Sequence, residues 1–368
     1  MKIGILTFIN TLNFGASLQT YALQKTLESM GAQAEIIRYV NRAVEDREKK
    51  TGKKNLKKLF SLVRMGRALR RKEAAFRRFE AEHIRFGAVL TPESAKQTEG
   101  EYDLFVTGSD QVWNQRITGN DNTFFLDFVT DGSKRLSYAP SFGNDVFPEE
   151  RKKEVGAFLA KFRALSVREK AGARLIRELC GRSAQTVVDP TLLLSKSDWE
   201  KEFSFRPKPE HYILVYFPHN KKKVFDFVDK LRAETGLPVI YLSISPKPQR
   251  GVTTIYDASP EKFLGWIYHA DYVVTGSFHG TAFSLNFEKQ FFYESNSNEN
   301  RIGNLVRLTG TQERSIDNRG VLSQKIDYSR VTPLLERERE SSLNWLRESI
   351  FSENVSEAPT VSEVMPKP

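Results

Sequence analysis

Cysteine is nearly absent: Cys180 is the only one among 368 residues. That excludes an internal disulfide and a multi-thiolate metal site, and it suits a reducing, cytoplasmic home. No apolar run reaches the roughly 18 residues that a membrane span needs. Residues 1–8 carry one charge, and the chain turns polar at Asn10. They lack the long apolar region and cleavage site of a signal peptide and read as a buried first strand. No pair of histidines has zinc spacing and no Asp-rich loop suits calcium, so no metal is expected. Glycine-rich dinucleotide and phosphate loops are missing, as is the serine elbow of hydrolases. No internal repeat recurs at a fixed period.

Excess charge is also missing from most of the chain. The net charge is +10, yet residues 41–80 hold 15 Lys/Arg against 5 Asp/Glu, and the remainder is neutral. A nucleic-acid binder would spread the excess differently, so nucleic acid is not the expected partner. What is present fits a folded protein. Hydrophobic residues make up 39% and aromatics 11%, which rules out wholesale disorder. The length suggests two cores.

Residues 2–8 form an apolar, β-branched run, followed by a turn-rich loop and a helical spacing at Leu18, Ala22, Leu23 and Leu27. A second strand at 34–39 completes the opening of a parallel α/β domain. The basic stretch has Leu56, Leu59, Phe60, Val63, Leu69, Phe76 and Phe79 among Lys and Arg, the pattern of one or two amphipathic helices. Strands follow near 102–107, 136–141 and 164–167. After a polar crossing at 194–209 the alternation restarts, with strands near 212–217, 238–243, 271–275 and 290–293. The expected domains are 1–195 with a basic insert at about 41–86, and 196–351. The final helix of the second, 331–351, is read as packing back onto the first. Residues 352–368 are read as a disordered tail.

Ligands of open α/β sheets bind outside the carboxyl ends of the strands, and three loops there carry chemistry. In residues 10–19, Gly15 allows close backbone approach and the next helix offers free N–H groups. Asn13, Gly15 and Gln19 either line an anion or sugar site, or form an ordinary turn with Asn13 as the cap. In residues 107–114, Asp110 can accept a hydroxyl proton and Trp113 can stack on a sugar, with Ser109 and Gln111 beside them. The competing reading makes Ser109 or Asp110 a cap and Trp113 core. In residues 275–280, Ser277, His279 and Gly280 stand at a strand-to-helix junction that favours an anion, and His279 can transfer protons near neutral pH. Arg168 and Arg301 are each read as a carboxylate or phosphate clamp, or as a surface ion pair. His83, His211, His219 and His269 are read as structural or solvated.

Six segments together look familiar. Asn13-Phe14-Gly15-Ala16-Ser17-Leu18-Gln19, Gly108-Ser109-Asp110-Gln111-Val112-Trp113-Asn114 and Tyr138-Ala139-Pro140-Ser141-Phe142-Gly143 resemble the polysaccharide pyruvyl transferase family. So do Ser166-Val167-Arg168-Glu169, Val188-Asp189-Pro190-Thr191-Leu192-Leu193 and Ser277-Phe278-His279-Gly280, in that order, from about residue 3 to about 310. The resemblance is to the subgroup with the Gly-Ser-Asp-Gln-Val-Trp motif, and it leaves out the basic insert and the tail. It implies an α/β fold of two Rossmann-like domains facing a cleft, like the GT-B glycosyltransferases. It implies transfer of pyruvate from phosphoenolpyruvate to two hydroxyls of one sugar, with no cofactor besides that donor substrate.

On this resemblance His279 and Arg168 lie at the donor, with Ser277, Gly280 and Arg301 as further donor contacts. Asp110 orients or deprotonates an acceptor hydroxyl among Asn13, Gly15, Gln19, Ser109, Gln111 and Trp113. Where the family more often has Arg or another polar residue before His-Gly, this chain has Phe278. The acceptor is a sugar of a surface polysaccharide or its precursor, including lipid-linked ones. The basic insert is read either as a solvated cover of the first domain or as a peripheral contact with anionic membrane. The rival functions are a GT-B glycosyltransferase using a nucleotide sugar, and a non-catalytic glycan-binding scaffold.

Overall fold

A computed structural model describes residues 1–45, 59–143, 146–205, 209, 211–244, 247–294, 300–318, 320, 322 and 324–352. The tail from 353 onward and residues 46–58 of the basic segment lie outside the described residues, and so does the expectation of a disordered tail.

The first sheet has the order β3-β2-β1-β4-β5 and every described pairing is parallel. Its strands are β1 (Lys2–Leu6), β2 (Gln33–Arg38), β3 (Phe86–Val89), β4 (Leu104–Thr107) and β5 (Arg135–Ser137). Ile3, Ile5, Leu104, Phe105 and Val106 are buried, as strands covered on both faces require. Helix α1 (Phe14–Ser29) crosses from β1 to β2; the Asn13 side chain caps it, accepting from Gly15 N at 2.9 Å. Helices α3 (Ala95–Glu101), α4 (Gln115–Thr118) and α5 (Glu149–Leu159) follow. A parallel pair, β6 (Ser166–Val167) and β7 (Gln185–Thr186), flanks α6 (Lys170–Cys180). It continues the first sheet, because Ser137 N donates to Ala164 O at 3.2 Å.

Helix α7 (Lys196–Glu202), capped reciprocally by Ser195 and Asp198, begins the crossing. The second sheet repeats the first: β10-β9-β8-β11-β12, parallel throughout. Its strands are β8 (Ile213–Tyr216), β9 (Val239–Leu242), β10 (Thr253–Ile255), β11 (Tyr272–Thr275) and β12 (Gln290–Tyr293). Its helices are α8 (Lys221–Thr235), α9 (Pro260–Tyr268), α10 (Phe278–Asn286) and α11 (Asn300–Leu308). The last helix, α12 (Tyr328–Phe351), returns to the first domain: Ser342 Oγ accepts from Val188 N at 3.0 Å and Arg339 Nε donates to Leu192 O at 2.7 Å.

In the basic segment, residues 42–45 are helical (α2) and Leu59–His83 form a 25-residue helix, labelled αB. Ala68, Phe76 and Phe79 on it are buried. These three apolar side chains are spent inside the molecule. Phe76 stacks on Phe14 with centroids 5.2 Å apart, and Phe14 stacks on Phe263 of α9 at 4.7 Å. Arg71 pairs with Asp257 at 2.6 Å, so αB touches both domains. One apolar core runs through the domain junction, from Phe14, Leu18 and Tyr21 to Tyr216, Phe263 and Phe283. Among the described residues no helix is long and apolar enough to cross a membrane.

Candidate active site

In both sheets the strand order reverses between the first and fourth strands, β1 and β4 in one and β8 and β11 in the other. The carboxyl ends at such reversals are where α/β proteins hold ligands. Here the two reversal points meet. Phe14, after β1, lies 6.0 Å from Tyr216, at the end of β8. Gly15 lies against His279, just after β11: a β-carbon at Gly15 would collide with the imidazole. Only glycine permits that approach.

Four non-glycine residues near these strand ends have positive φ: Asn10 (58°), Asp110 (68°), Ala139 (53°) and Phe217 (51°). Each costs on the order of 1 kcal/mol or more, and such strain collects at functional sites.

At the junction lies a buried ionic cluster. Arg168 follows β6; its Nη1 donates to Asp189 Oδ2 at 2.8 Å and its Nε to Glu169 Oε1 at 3.0 Å. The guanidinium rests 4.6 Å from the Phe278 ring centroid, which joins it to the second domain. Asp189 Oδ1 accepts from Thr191 N at 3.0 Å and from its hydroxyl at 2.8 Å. Ser109 Oγ lies 3.2 Å from Asp189 Oδ2. His279 Nε2 stands 3.7 Å from the same oxygen, too far for a hydrogen bond and close enough for charge attraction.

Burial alone would push the Asp189 carboxyl up. His279, Arg168 and the Thr191 amide instead hold it well below the usual carboxylate range. Burial also disfavours the Arg168 cation, but Glu169, Asp189 and Asp110 offset this and raise it above its ordinary value.

Two buried donors in this cluster have no hydrogen-bond partner, Arg168 Nη2 and His279 Nε2. Buried polar atoms are rarely left so, and two beside one carboxylate point to a ligand. The N-terminus of α10, capped by Ser277 Oγ on Gly280 N at 3.3 Å, adds the positive end of a helix. The arrangement suits an anion that also needs a proton.

The other candidate residues fall into place around this cluster. Asn13 is exposed and caps α1. Asp110 is buried, with Oδ1 accepting from Gln111 N at 2.8 Å. Gln111 is half-buried and accepts from Asn114 Nδ2. Gly280 packs closely on Thr275 and Tyr216, which is a packing role. Arg301 lies in the first turn of α11, and the hydrogen bonds described above join Arg168, Asp189 and Glu169 without it.

Three expected acceptor contacts are corrected. Trp113 is fully buried, donates from Nε1 to Phe124 O at 2.9 Å and stacks on Phe125, so no face is left for a sugar. Gln19 is fully buried; its Nε2 donates to Thr7 and Thr20 hydroxyls and to Ala16 O, and its Oε1 accepts from Ser109 N. Ser109 is fully buried as well and is held by Ala139 O and Asp189. Gln19 and Ser109 fix the loops that surround the site rather than meet a ligand.

Asp189 and Glu169, which complete the cluster, were not among the expected site residues. The signal for Asp189 was its place in Val188-Asp189-Pro190, where a strand stops at a proline. For Glu169 the signal was adjacency to Arg168.

The fold matches solved structures of low identity. UDP-GlcNAc 2-epimerase from Neisseria meningitidis aligns with a TM-score of 0.51 at 9% identity, covering 95% of this chain and 99% of that one. A further UDP-N-acetylglucosamine 2-epimerase aligns at 0.50 and 11%, covering 98% and 99%. The likeness shows the two-domain, GT-B-like architecture. No curated protein matches the chain. The family model "Polysaccharide pyruvyl transferase" matches residues 13–298, a span that holds Gly15, Asp110, Arg168, Asp189 and His279, and the chain belongs to that family of transferases.

Proposed function

We propose that the protein transfers pyruvate from phosphoenolpyruvate to two hydroxyls of one sugar, forming a cyclic ketal and releasing phosphate. The observation that carries this reading is the pair of unpartnered buried donors, Arg168 Nη2 and His279 Nε2. Phosphoenolpyruvate offers a carboxylate and a phosphate to such donors, and it must gain a proton at its methylene carbon.

In this reading Arg168 grips one anionic group and the α10 N-terminus faces the other. His279, held beside Asp189, gives a proton to the methylene carbon, and C2 becomes oxocarbenium-like. The first sugar hydroxyl bonds to C2 and loses its proton, with Asp110 as the accepting or orienting group. The bond from C2 to the phosphate oxygen then breaks. The second hydroxyl closes the ketal, and its proton leaves with the phosphate. General acid–base assistance of this type is worth about 10²–10⁴-fold. The acceptor is a sugar of a surface glycan or of its lipid-linked precursor, reached at the inner face of the membrane.

A nucleotide-sugar glycosyltransferase is the second reading. It is favoured by the likeness to the N. meningitidis epimerase, whose structure is described as bound to UDP-GlcNAc. Thermal midpoints measured with phosphoenolpyruvate and with a panel of nucleotide sugars separate the two. A ligand at about 100 times its Kd adds roughly 2.7 kcal/mol. A shift with phosphoenolpyruvate alone supports pyruvyl transfer; a shift only with a nucleotide sugar overturns it.

A further inference from the structure

The solvent side of αB carries Arg67, Arg70, Arg71, Arg77 and Arg78, all exposed. At 100° per residue these five fall on one arc of about 120°. The buried Ala68, Lys72, Phe76 and Phe79 fall on the opposite side. Ala74 shares the arginine arc, and Glu73 and Glu80 flank it, Glu80 attracting Arg77. Arg71 is partly engaged by Asp257, with 65% of its side chain still exposed. The result is a straight row of guanidinium groups about 16 Å long. Guanidinium pairs with phosphate through two parallel N–H bonds.

We infer that this arginine face docks the enzyme on an anionic phospholipid surface. Two features choose the bilayer over nucleic acid. Phe76 and Phe79 point inward, so among the described residues the arginine face offers no aromatic for bases to stack on. The row is straight and flat, a shape that meets a plane of headgroups along its whole length. The contact made by this face is electrostatic, because Ala68, Phe76 and Phe79 on the opposite side are consumed by the core.

The inward side of the same helix touches Phe14, next to Gly15. Docking therefore places the candidate site about one helix diameter, roughly 10 Å, from the headgroups. A sugar on a lipid diphosphate lies at that depth. This purpose rests on the pyruvyl-transfer reading; the docking itself does not.

The test is flotation of the full chain with vesicles of phosphatidylcholine alone, or with phosphatidylglycerol as a minority component. Wild type is expected to float only with the anionic vesicles, and less as salt rises. At about 1 kcal/mol per arginine near the surface, Arg70→Gln with Arg77→Gln should weaken the partition about thirtyfold. Both side chains are exposed, so the variant's thermal midpoint should be unchanged. Equal recovery on both vesicle types overturns the inference. So does a variant that floats like wild type, or tighter binding to single-stranded RNA than to anionic vesicles. The phosphoenolpyruvate shift is measured on the same proteins. Its absence beside intact flotation would sink the pyruvyl reading alone, and its presence beside failed flotation would sink the docking alone.

Discussion

The α-carbon of Gly15, in the first turn of α1, faces the imidazole of His279 across the domain junction. A β-carbon there would lie 2.5 Å from Cε1 and closer still to Cγ and Nδ1. The ring is buried and hemmed in by Phe278, so it cannot swing aside as a flexible side chain would. Gly15→Ala therefore displaces the ring or parts the domains. Misplacing a reacting group by about 1 Å can cost a hundredfold in rate. The variant is expected to lose at least about that much in phosphate release from phosphoenolpyruvate, with the protein still folded. Normal turnover in a folded Gly15→Ala protein would show that the contact does not position His279.

Removing the imidazole itself separates chemistry from packing. His279→Ala should lower turnover by at least about a hundredfold and weaken the stabilisation that phosphoenolpyruvate gives. Circular dichroism should stay as in the wild type. A folded variant with near-normal turnover would take His279 out of the mechanism.

How much of this was legible in the sequence depends on the kind of residue. The strands at 2–6, 104–107, 213–216 and 272–275 are mainly apolar runs, and buried parallel strands leave that signature. The short edge strands Phe86–Val89 and Thr253–Ile255 are half-exposed and carry no such pattern. His279 and Arg168 stood out because their chemistry is rare at strand ends. Trp113 and Gln19 misled because polar or aromatic residues in a ligand-edge loop look alike whether they face a ligand or hold the loop. Only burial distinguishes them, and burial is set by distant elements such as Phe124 and Thr7. The reach of αB across both domains was equally hidden, since amphipathic spacing does not say what the apolar side will meet.

Asp189 links acid stability to the site. Its carboxyl is held well below the ordinary value of about 3.9. It therefore stabilises the fold fully above that unfolded value and loses this contribution as pH falls through the lower folded value. Asp189→Asn removes the carboxylate to which Arg168 Nη1 donates and leaves the buried guanidinium with Glu169 and the more distant Asp110. Breaking such a pair costs about 3–5 kcal/mol. The gap in urea-unfolding free energy between wild type and variant should narrow as pH falls from about 5 to below about 4. A gap that widens between about pH 5 and pH 3 would contradict the assignment.

Trp113 offers the sharpest contrast between a packed and a ligand-facing residue. Its indole stacks on Phe125 at 5.4 Å and lies 5.1 Å from Phe142. Truncation to alanine opens a cavity, and Trp113→Ala should cost about 3–5 kcal/mol in urea unfolding. Trp113→Phe keeps a ring in place and gives up the Nε1 hydrogen bond. Phe124 O is not orphaned by that loss, because Thr107 Oγ1 also donates to it at 2.7 Å. The phenylalanine variant should therefore lose only about 1 kcal/mol and keep the wild-type KM for the acceptor. A sugar platform would behave in the opposite way: the phenylalanine variant would keep its stability and shift its KM.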